Sequence, residues 1–338
     1  MFEIKKLPKS EAEITGEIPA DEFERAFSKA LTELNQKTGI PGFRPGHVPE
    51  SVLIEKVGEA AILEEAAEIA LREAYPKMLE ENKIEAIGQP EITITKIARK
   101  NPLGFKIKTA VLPEITLPDY KKIAGEAMTA KEEAKVEEKE IDDALEFLKK
   151  SQKKDENPPA GGELELNDEF AKNLGQKDLL GLRELLRENI LSEKEQKARE
   201  QKRMEILEKI SSASKLELPE ILVESEKEKM LAELKSSIEN MGLEWQKYLG
   251  HVQKTEDLLR KEWAAEAGKR ASYALILREI ANAEKIEPTE KEINAEAEKM
   301  TARFHAHDKN NIDTERLKDY AYGIIRNEKV FQLLETPN

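Results

Sequence analysis

The sequence contains no cysteine and few aromatic residues. Among its 338 residues, Phe, Trp and Tyr together account for 5%. The lack of thiols excludes disulfides, cysteine nucleophiles and zinc–cysteine sites, and it fits a reducing compartment. There is no run of 18 apolar residues, and residues 1–13 lack the apolar stretch of a signal peptide. We therefore expect a cytoplasmic protein without a membrane partner.

The sequence is rich in charged residues. They make up 37% of the chain, and the net charge is −14. Such a surface repels phosphates, which argues against nucleic acid bound over a broad basic face but leaves room for a small basic tip. Hydrophobic residues still reach 39%, too many for a mostly disordered protein. The composition favours long, solvated helices over one thick globule.

The first part of the chain combines strand and helix patterns. Three segments alternate apolar and polar residues as half-buried strands do: 1–18, 92–97 and 105–111. Between them, Asp21 is expected to cap a first helix. Residues 51–82 are also expected to be helical, with a division at Gly58 and a kink or interruption at Pro76. Residues 1–112 are therefore predicted to form an α+β domain.

Beyond this domain the sequence predicts helices alone. The expected parts are a linker with a charged helix (113–150), a Pro/Gly-rich loop (151–163) and a helical domain (164–338). Within the last, helices are expected over about 178–212, 219–240 and 255–284, after the Thr289–Glu292 capping box, and from Asp313 to about Leu334. Residues 192–203 lack an apolar face, which predicts an arm held by i,i+4 ion pairs. The predicted class is multidomain and mostly helical, an α+β domain followed by an elongated all-α domain with helical arms.

One loop between two predicted helices stands apart in composition. It reads Gly42-Phe43-Arg44-Pro45-Gly46-His47-Val48-Pro49. The glycines permit unusual backbone angles, the prolines stiffen the chain, and a preorganised loop loses less entropy when it docks. Arg44 carries a planar cationic fork and Phe43 an aromatic ring, a pair that suits a surface of RNA and protein. On the residues alone, a rigid connection between helices remains the alternative.

Taken in order, these features resemble trigger factor, the bacterial ribosome-associated chaperone family. The loop is similar to the family's docking loop, G-F-R-x-G-x-x-P. Residues 167–175 resemble its D-E-F-A-K-x-L-G segment, and residues 218–224 its I-P-x-x-L-V-x-x-E segment. Pro45 and His47 depart from the pattern, since many members carry lysine there. The resemblance implies ribosome contacts beside the polypeptide exit by Gly42, Phe43, Arg44, Pro45, Gly46 and His47.

The resemblance also implies an ATP-independent chaperone that needs no cofactor. Its partners would be the ribosome and nascent or unfolded polypeptides, and some relatives form homodimers away from the ribosome. Clients would meet a concave cradle of helices, and the candidate contacts are apolar or aromatic: Met230, Leu234, Ile238, Met241, Tyr320, Ile324 and Phe331. Core packing is the alternative for each of them. His305, His307 and Asp308 are spaced so that they diverge on a helix, so no metal site is expected.

One domain of familiar members has no room in this sequence. They insert a peptidyl-prolyl isomerase of the FKBP type before the D-E-F-A-K segment, whereas here 15 residues (149–163) separate Leu148 from Leu164. A domain needs at least about 50 residues. We therefore expect no isomerase activity and no enzyme. The alternatives are an isomerase pocket elsewhere in the chain and a ribosome-independent holdase or assembly chaperone.

Overall fold

The structure, a computed structural model, describes residues 2–129, 134–152, 165–303 and 313–336. Within these ranges there are four strands: β1 (Phe2–Leu7), β2 (Glu11–Ile18), β3 (Ala86–Lys96) and β4 (Leu103–Val111). The helices are α1 (Ala20–Lys37), α2 (Glu50–Val57), α3 (Glu59–Glu81), α4 (Tyr120–Met128), α5 (Glu138–Gln152), α6 (Asp168–Asn173), α7 (Leu179–Ala213), α8 (Glu220–Asn240), α9 (Trp245–Val252), α10 (Glu256–Glu262), α11 (Ala264–Ala283), α12 (Glu290–Arg303) and α13 (Thr314–Glu335). This confirms the predicted class, a small N-terminal sheet with helices followed by a helical region.

The chain divides into two compact units, each built from two stretches of sequence. Unit 1 comprises Met1–Thr116 and Lys215–Leu275, and unit 2 comprises Leu117–Ser214 and Ile276–Asn338. The domain boundaries expected from the sequence remain a prediction. No helix in the described part of the chain is both long enough and apolar enough to span a membrane.

Unit 1 contains an antiparallel sheet in the order β1-β2-β4-β3. Its alternating sequence separates the two faces, because successive side chains in a strand point to opposite sides. Ile14 lies opposite Ile107 in the register, and both are fully buried against α1 and α3. The other face carries cross-strand ion pairs, among them Lys106 with Glu13 at 3.1 Å. The predicted strands are therefore confirmed, and β2 and β4 have the expected buried face, whereas β3 begins six residues before the predicted segment 92–97.

Two details of the helices in unit 1 differ from the sequence-based expectation. Asp21 does not cap α1, because the helix begins at Ala20 with Pro19 in the N-cap position, and no side-chain hydrogen bond caps it. Asp21 instead lies in the first turn, where its charge still favours the helix dipole. Pro76 does not interrupt α3, which runs through it as one helix. Gly58 divides α2 from α3 as predicted, with φ of +93°.

Unit 1 also holds a small helical cluster around α8, α9 and α10. Four buried apolar residues form its core: Leu231, Ile238, Trp245 and Leu259. The Trp245 indole donates a hydrogen bond to Glu256 at 2.7 Å and stacks on Tyr248. The sequence reasoning missed α9 and expected one helix from residue 255, whereas α10 ends before Trp263 and α11 begins after it.

In unit 2, α5, α6 and α7 pack around a second apolar core. Its buried members are Ile141, Leu145, Phe170, Ala171 and Leu182. Asn167 accepts the first amides of α6, and Asp178 caps α7. The capping box at Thr289 and Glu292 is confirmed, as is Asp313 at the start of α13. The Pro/Gly break at 153–162 and the His305 group lie outside the described residues.

The charged stretch 192–203 of α7 is held only in part by pairs within the helix. Lys202 pairs with Glu205 one turn away at 3.0 Å, whereas Lys194, Arg199 and Arg203 reach other helices of unit 2. Lys194 donates to Glu140 of α5 at 2.6 Å, and Arg203 donates to both carboxylate oxygens of Glu328 in α13 at 2.7 Å. The charge pattern of a single helix does not predict an ion-pair partner that lies more than 100 residues away in the chain.

Candidate functional site

The loop between α1 and α2 opens with a tight turn. The Phe43 amide donates a hydrogen bond to the Ile40 carbonyl at 3.1 Å. Pro41 occupies the second position of this turn and Gly42, with φ of +90°, the third. Proline fixes a negative φ at the second position, so the positive φ that follows makes this a type II turn, for which glycine is the favoured third residue.

A second turn of the same kind follows at once. The His47 amide donates to the Arg44 carbonyl at 3.0 Å, with Pro45 in the second position and Gly46, at φ of +83°, in the third. Two Pro-Gly turns in series thus build residues 40–47. Both prolines restrict the unfolded chain, so the loop holds its shape at a low entropic cost. Phe43 and Arg44 lie at the junction of the two turns.

Asn35, in the last turns of α1, fastens the far end of the loop. Its Nδ2 donates to the Val48 carbonyl at 2.8 Å, and the Val48 amide donates to its Oδ1 at 3.0 Å. The backbone carbonyl of Asn35 also accepts the Gly46 amide at 2.9 Å. Three hydrogen bonds therefore tie the second turn to the helix that precedes the loop.

Apolar side chains anchor the loop at both ends. Ile40 and Val48 are buried together with Leu53 of α2, and partly buried residues of α1 pack against them. Burial of this cluster holds α2 against α1 and leaves the residues between the two anchors at the surface. The loop is thus pinned at its base and open at its tip.

All residues from Gly42 to His47 are exposed. Phe43 exposes 40% of its surface, a large share for an aromatic ring in this aromatic-poor chain. Arg44 forms no ion pair with any residue that the structure describes, whereas Arg99 is paired with both Glu24 and Glu50. An unpaired guanidinium beside an open ring can hold a phosphate or carboxylate while the ring stacks or enters a pocket.

The structure thus brings the six predicted loop residues together on one exposed tip. Sequence reasoning missed Pro41, whose spacing of four from Pro45 repeats the Pro-Gly pair and was a readable signal. It also missed Asn35, because an asparagine near a helix end does not reveal which distant backbone groups it bonds. Ribosome contact by the tip stays a prediction at this point.

The predicted client contacts fall into two groups by exposure. Met230 and Ile238 are buried, at 8% and 6%, and Leu234 packs against the α8–α10 core. Leu234 and Ile238 therefore face the core of the α8–α10 cluster, and little of the Met230 side chain is exposed to solvent. Met241, at the end of α8, is 68% exposed.

The candidates on α13 are described separately, since they belong to unit 2. Tyr320 is 65% exposed and Ile324 39%. Phe331 is half-buried, and the Arg203 guanidinium lies 4.6 Å from its ring centroid. Phe331 is therefore engaged within the unit, while Tyr320 and Ile324 are open to solvent. Whether any of these side chains binds clients stays a prediction.

Two family models and several known proteins match this chain over most of its length. A family model described as bacterial trigger factor protein matches residues 1–148, and one described as its C-terminus matches residues 178–335. The trigger factor of Agathobacter rectalis is 25% identical over 406 aligned positions, covering 94% of this chain and 89% of that protein. The trigger factor of a Geobacillus species is 26% identical over 405 positions, covering 93% and 92%.

A solved trigger factor structure has a fold similar to that of this chain. It comes from work on promiscuous substrate recognition in the folding and assembly activities of the trigger factor chaperone. It aligns with a TM-score of 0.57 and 20% identity, over 99% of this chain and 100% of the solved one. At that identity the likeness establishes the fold.

Proposed function

This chain belongs to the bacterial trigger factor family, and on that premise we propose that it is a cytoplasmic, ATP-independent chaperone that docks at the ribosome near the polypeptide exit and holds nascent chains. The observation that carries the proposal is the exposed tip, where Phe43 and Arg44 lie between two Pro-Gly turns. Membership of the family supports the chaperone role. The geometry of the tip supports the docking role.

Docking by this tip would rest on stiffness and one fixed charge. Pro45 stands where many members of the family carry lysine, and it occupies the second position of a type II turn. Proline at this position therefore replaces a cation with a stiffer backbone, which would lose less entropy on docking. If Arg44 alone neutralises a phosphate, affinity should fall with salt at a log–log slope of only about −0.7 to −0.9.

Holding of clients would use apolar side chains that the units leave exposed. Met241 and Leu243 expose 68% and 53% of their surfaces in unit 1, and Tyr320 exposes 65% in unit 2. Methionine and tyrosine adapt to varied partners, because the first is flexible and the second has both an apolar body and a polar end. We propose weak contacts with many sequences.

We propose further that the protein has no prolyl isomerase activity. Only residues 153–167 connect α5 to α6. The alignment with the Agathobacter rectalis protein spans 406 positions, more than the 338 residues of this chain, so that relative carries segments absent here. Both observations support the loss of an inserted domain. A proline-limited refolding assay tests this: acceleration at catalytic concentrations of the protein would contradict it.

Docking is tested by co-sedimentation with salt-washed ribosomes that carry no nascent chain. Phe43→Ala/Arg44→Ala is expected to lose binding. Arg316→Ala/Tyr320→Ala is the matched control, since it also removes one exposed arginine and one exposed aromatic, and it should bind like the wild type. Equal binding by both variants would refute docking by the tip.

A ribosome-independent holdase is the competing function. It predicts that the wild type suppresses the aggregation of a denatured client yet does not sediment with ribosomes at any salt concentration.

A further inference from the structure

β3 is an edge strand, and its second half is open along one side. Among the described residues it pairs with β4 alone. All six residues from Glu91 to Lys96 are exposed. In the first half of the strand, Ile221 of α8 approaches Gly88 so closely that a Cβ added there would lie 2.0 Å from its Cδ1. Ile221 thus lies against the strand at Gly88, and Pro90 has no amide hydrogen to donate, so the stretch available for pairing begins at Glu91.

Two isoleucines in this stretch belong to the core face of the sheet but extend past its cover. Ile92 lies opposite Ile107 and Ile94 opposite Phe105, and both partners on β4 are fully buried. Paired residues project to the same side of a sheet, so Ile92 and Ile94 continue the apolar face. Yet 46% and 37% of their surfaces remain exposed. The apolar face thus ends in an uncovered margin beside a free backbone.

The opposite edge of the sheet does not offer the same surface. On β1, Phe2 and Ile4 pack against the core cluster. The same strand carries exposed Lys5 and Lys6, and lysines on an edge discourage the addition of another strand. On β3, a proline (Pro90) and a lysine (Lys96) lie only at the two ends of the open stretch, and residues 91–95 between them contain neither. Of the two edges, β3 is the one open to pairing.

We propose that β3 binds an extended apolar segment of an unfolded polypeptide as a fifth strand of the sheet. This inference rests on the proposed chaperone function and adds a second type of client site to it. Strand addition uses main-chain hydrogen bonds, which are blind to side chains, so it accepts many sequences. Ile92 and Ile94 then favour apolar residues at alternate positions of the client.

Charge argues for a client rather than a second copy of this chain. Each copy has a net charge of −14, so pairing of two β3 edges would bring two strongly acidic bodies together. The length of the site is also limited. Pro90 precedes it, and the register with β4 shifts between Ile94 and Lys96. A client strand of four or five residues is expected, which makes the binding reversible.

The probe is a fluorescein-labelled peptide of ten alternating valines and threonines flanked by lysines, titrated with the full-length protein and followed by anisotropy. Ile92→Lys/Ile94→Lys is expected to weaken binding by at least roughly tenfold. Thr93→Ser/Thr95→Ser changes the other face of β3 without adding a lysine to the edge and should change binding less than about twofold. The same peptide with N-methylated central amides should bind at least roughly tenfold more weakly to the wild type, because it lacks the donors.

Several results would overturn the inference. The inference fails if the wild type does not bind the peptide or if Ile92→Lys/Ile94→Lys binds it as tightly as the wild type does. It also fails if the wild type binds the N-methylated peptide as tightly as the unmodified one. A dimer that this double variant abolishes would make a second copy the occupant. The exposure of both isoleucines predicts that each variant folds, which circular dichroism checks.

An aggregation assay separates this inference from the proposed chaperone function. If the wild type and Ile92→Lys/Ile94→Lys suppress client aggregation equally, the β3 site is refuted while the chaperone function stands. If the wild type suppresses none, the proposed function itself fails.

Discussion

The side chain of Asn35 satisfies both backbone groups of Val48, 13 positions further along the chain, at 2.8 Å to the carbonyl oxygen and 3.0 Å to the amide nitrogen. Val48 is buried, so its amide and carbonyl would otherwise lack a partner away from water. One polar side chain thereby replaces the backbone pairing that a regular element would supply. The shape of the tip depends on it.

Replacing Asn35 by alanine should loosen the tip without touching its exposed residues. Two buried backbone groups lose their partners, which costs about 1–3 kcal/mol of unfolding free energy. We expect a lower urea midpoint and weaker ribosome co-sedimentation although Phe43 and Arg44 are intact. Asn35→Asp keeps the acceptor for the Val48 amide but turns a carboxylate oxygen towards the Val48 carbonyl, so it should not restore the stability or the binding of the wild type. A variant that unfolds and sediments like the wild type would show that the tip forms without this clamp.

The two turn glycines should resist substitution, whereas a third glycine nearby should not. Gly42 and Gly46 have φ of +90° and +83°, which strain any residue with a Cβ. Alanine at either position should cost about 1 kcal/mol or more. At Gly39, φ is not positive and a Cβ would meet no atom within 4 Å, so Gly39→Ala is the matched control and should be neutral. Thermal unfolding of the three variants measures these effects. An equal loss of stability in all three would contradict the turn geometry.

Short-range patterns in the sequence predicted much of what surrounds the tip. The alternation in β2 and β4 gave the buried face, because strand side chains alternate whatever the partner is. Thr289 and Glu292 predicted the start of a helix, because the hydrogen bonds of a capping box form within four consecutive residues. The tip itself was readable for the same reason: each of its turns spans only four residues.

Contacts between distant segments were not predictable in this way. The apolar stripe on α8 indicated an apolar face, but only the packing of α9 and α10 shows that Ile238 faces a core, while Met241 is exposed to solvent. Likewise, the charges of α7 suggested ion pairs within that helix, whereas Arg203 forms its ion pair with Glu328 of α13. Periodicity gives the face of an element and leaves open what covers it.

Arg203 should matter for the stability of unit 2. Its side chain is only 16% exposed, it binds both oxygens of Glu328, and it also pairs with Glu335, whose side chain is 14% exposed. Removing the fork leaves two glutamates with Arg199 as their remaining cation. Arg203→Met should therefore lower the unfolding free energy by about 2 kcal/mol.

Two further variants make the Arg203 prediction specific. Arg203→Lys should recover only part of the loss, because an ammonium cannot bind a carboxylate with two parallel hydrogen bonds. Lys209→Ala removes an exposed cation from the same helix and should change the unfolding free energy by less than about 0.5 kcal/mol. Full stability of Arg203→Lys would mean that charge alone, without the fork, holds α13.

Glu292 should make stability depend on pH in the acidic range. One of its oxygens accepts hydrogen bonds from the Lys329 ammonium and from the amide and hydroxyl of Thr289, each at 2.8 Å. These bonds, the one from Lys329 foremost, lower the pKa of Glu292 from 4.5 to about 2. The folded protein thus keeps this carboxylate ionised where the unfolded chain already protonates it. The stabilisation is complete above the unfolded pKa and is lost as the pH falls towards the folded one.

The test compares the wild type with Glu292→Gln in urea unfolding from pH 7 down to pH 2. The variant should be the less stable at pH 7, and the gap should close below about pH 4.5, because protonation then removes from the wild type what the substitution removed. Glu290→Gln removes the same charge from the same helical turn but breaks none of these hydrogen bonds, so it should change the unfolding free energy by less than about 1 kcal/mol, the size of a charge–dipole interaction. A gap for Glu292→Gln that stays constant down to pH 2 would mean that the glutamine disturbs packing, and that the carboxylate charge is not what joins α12 to α13.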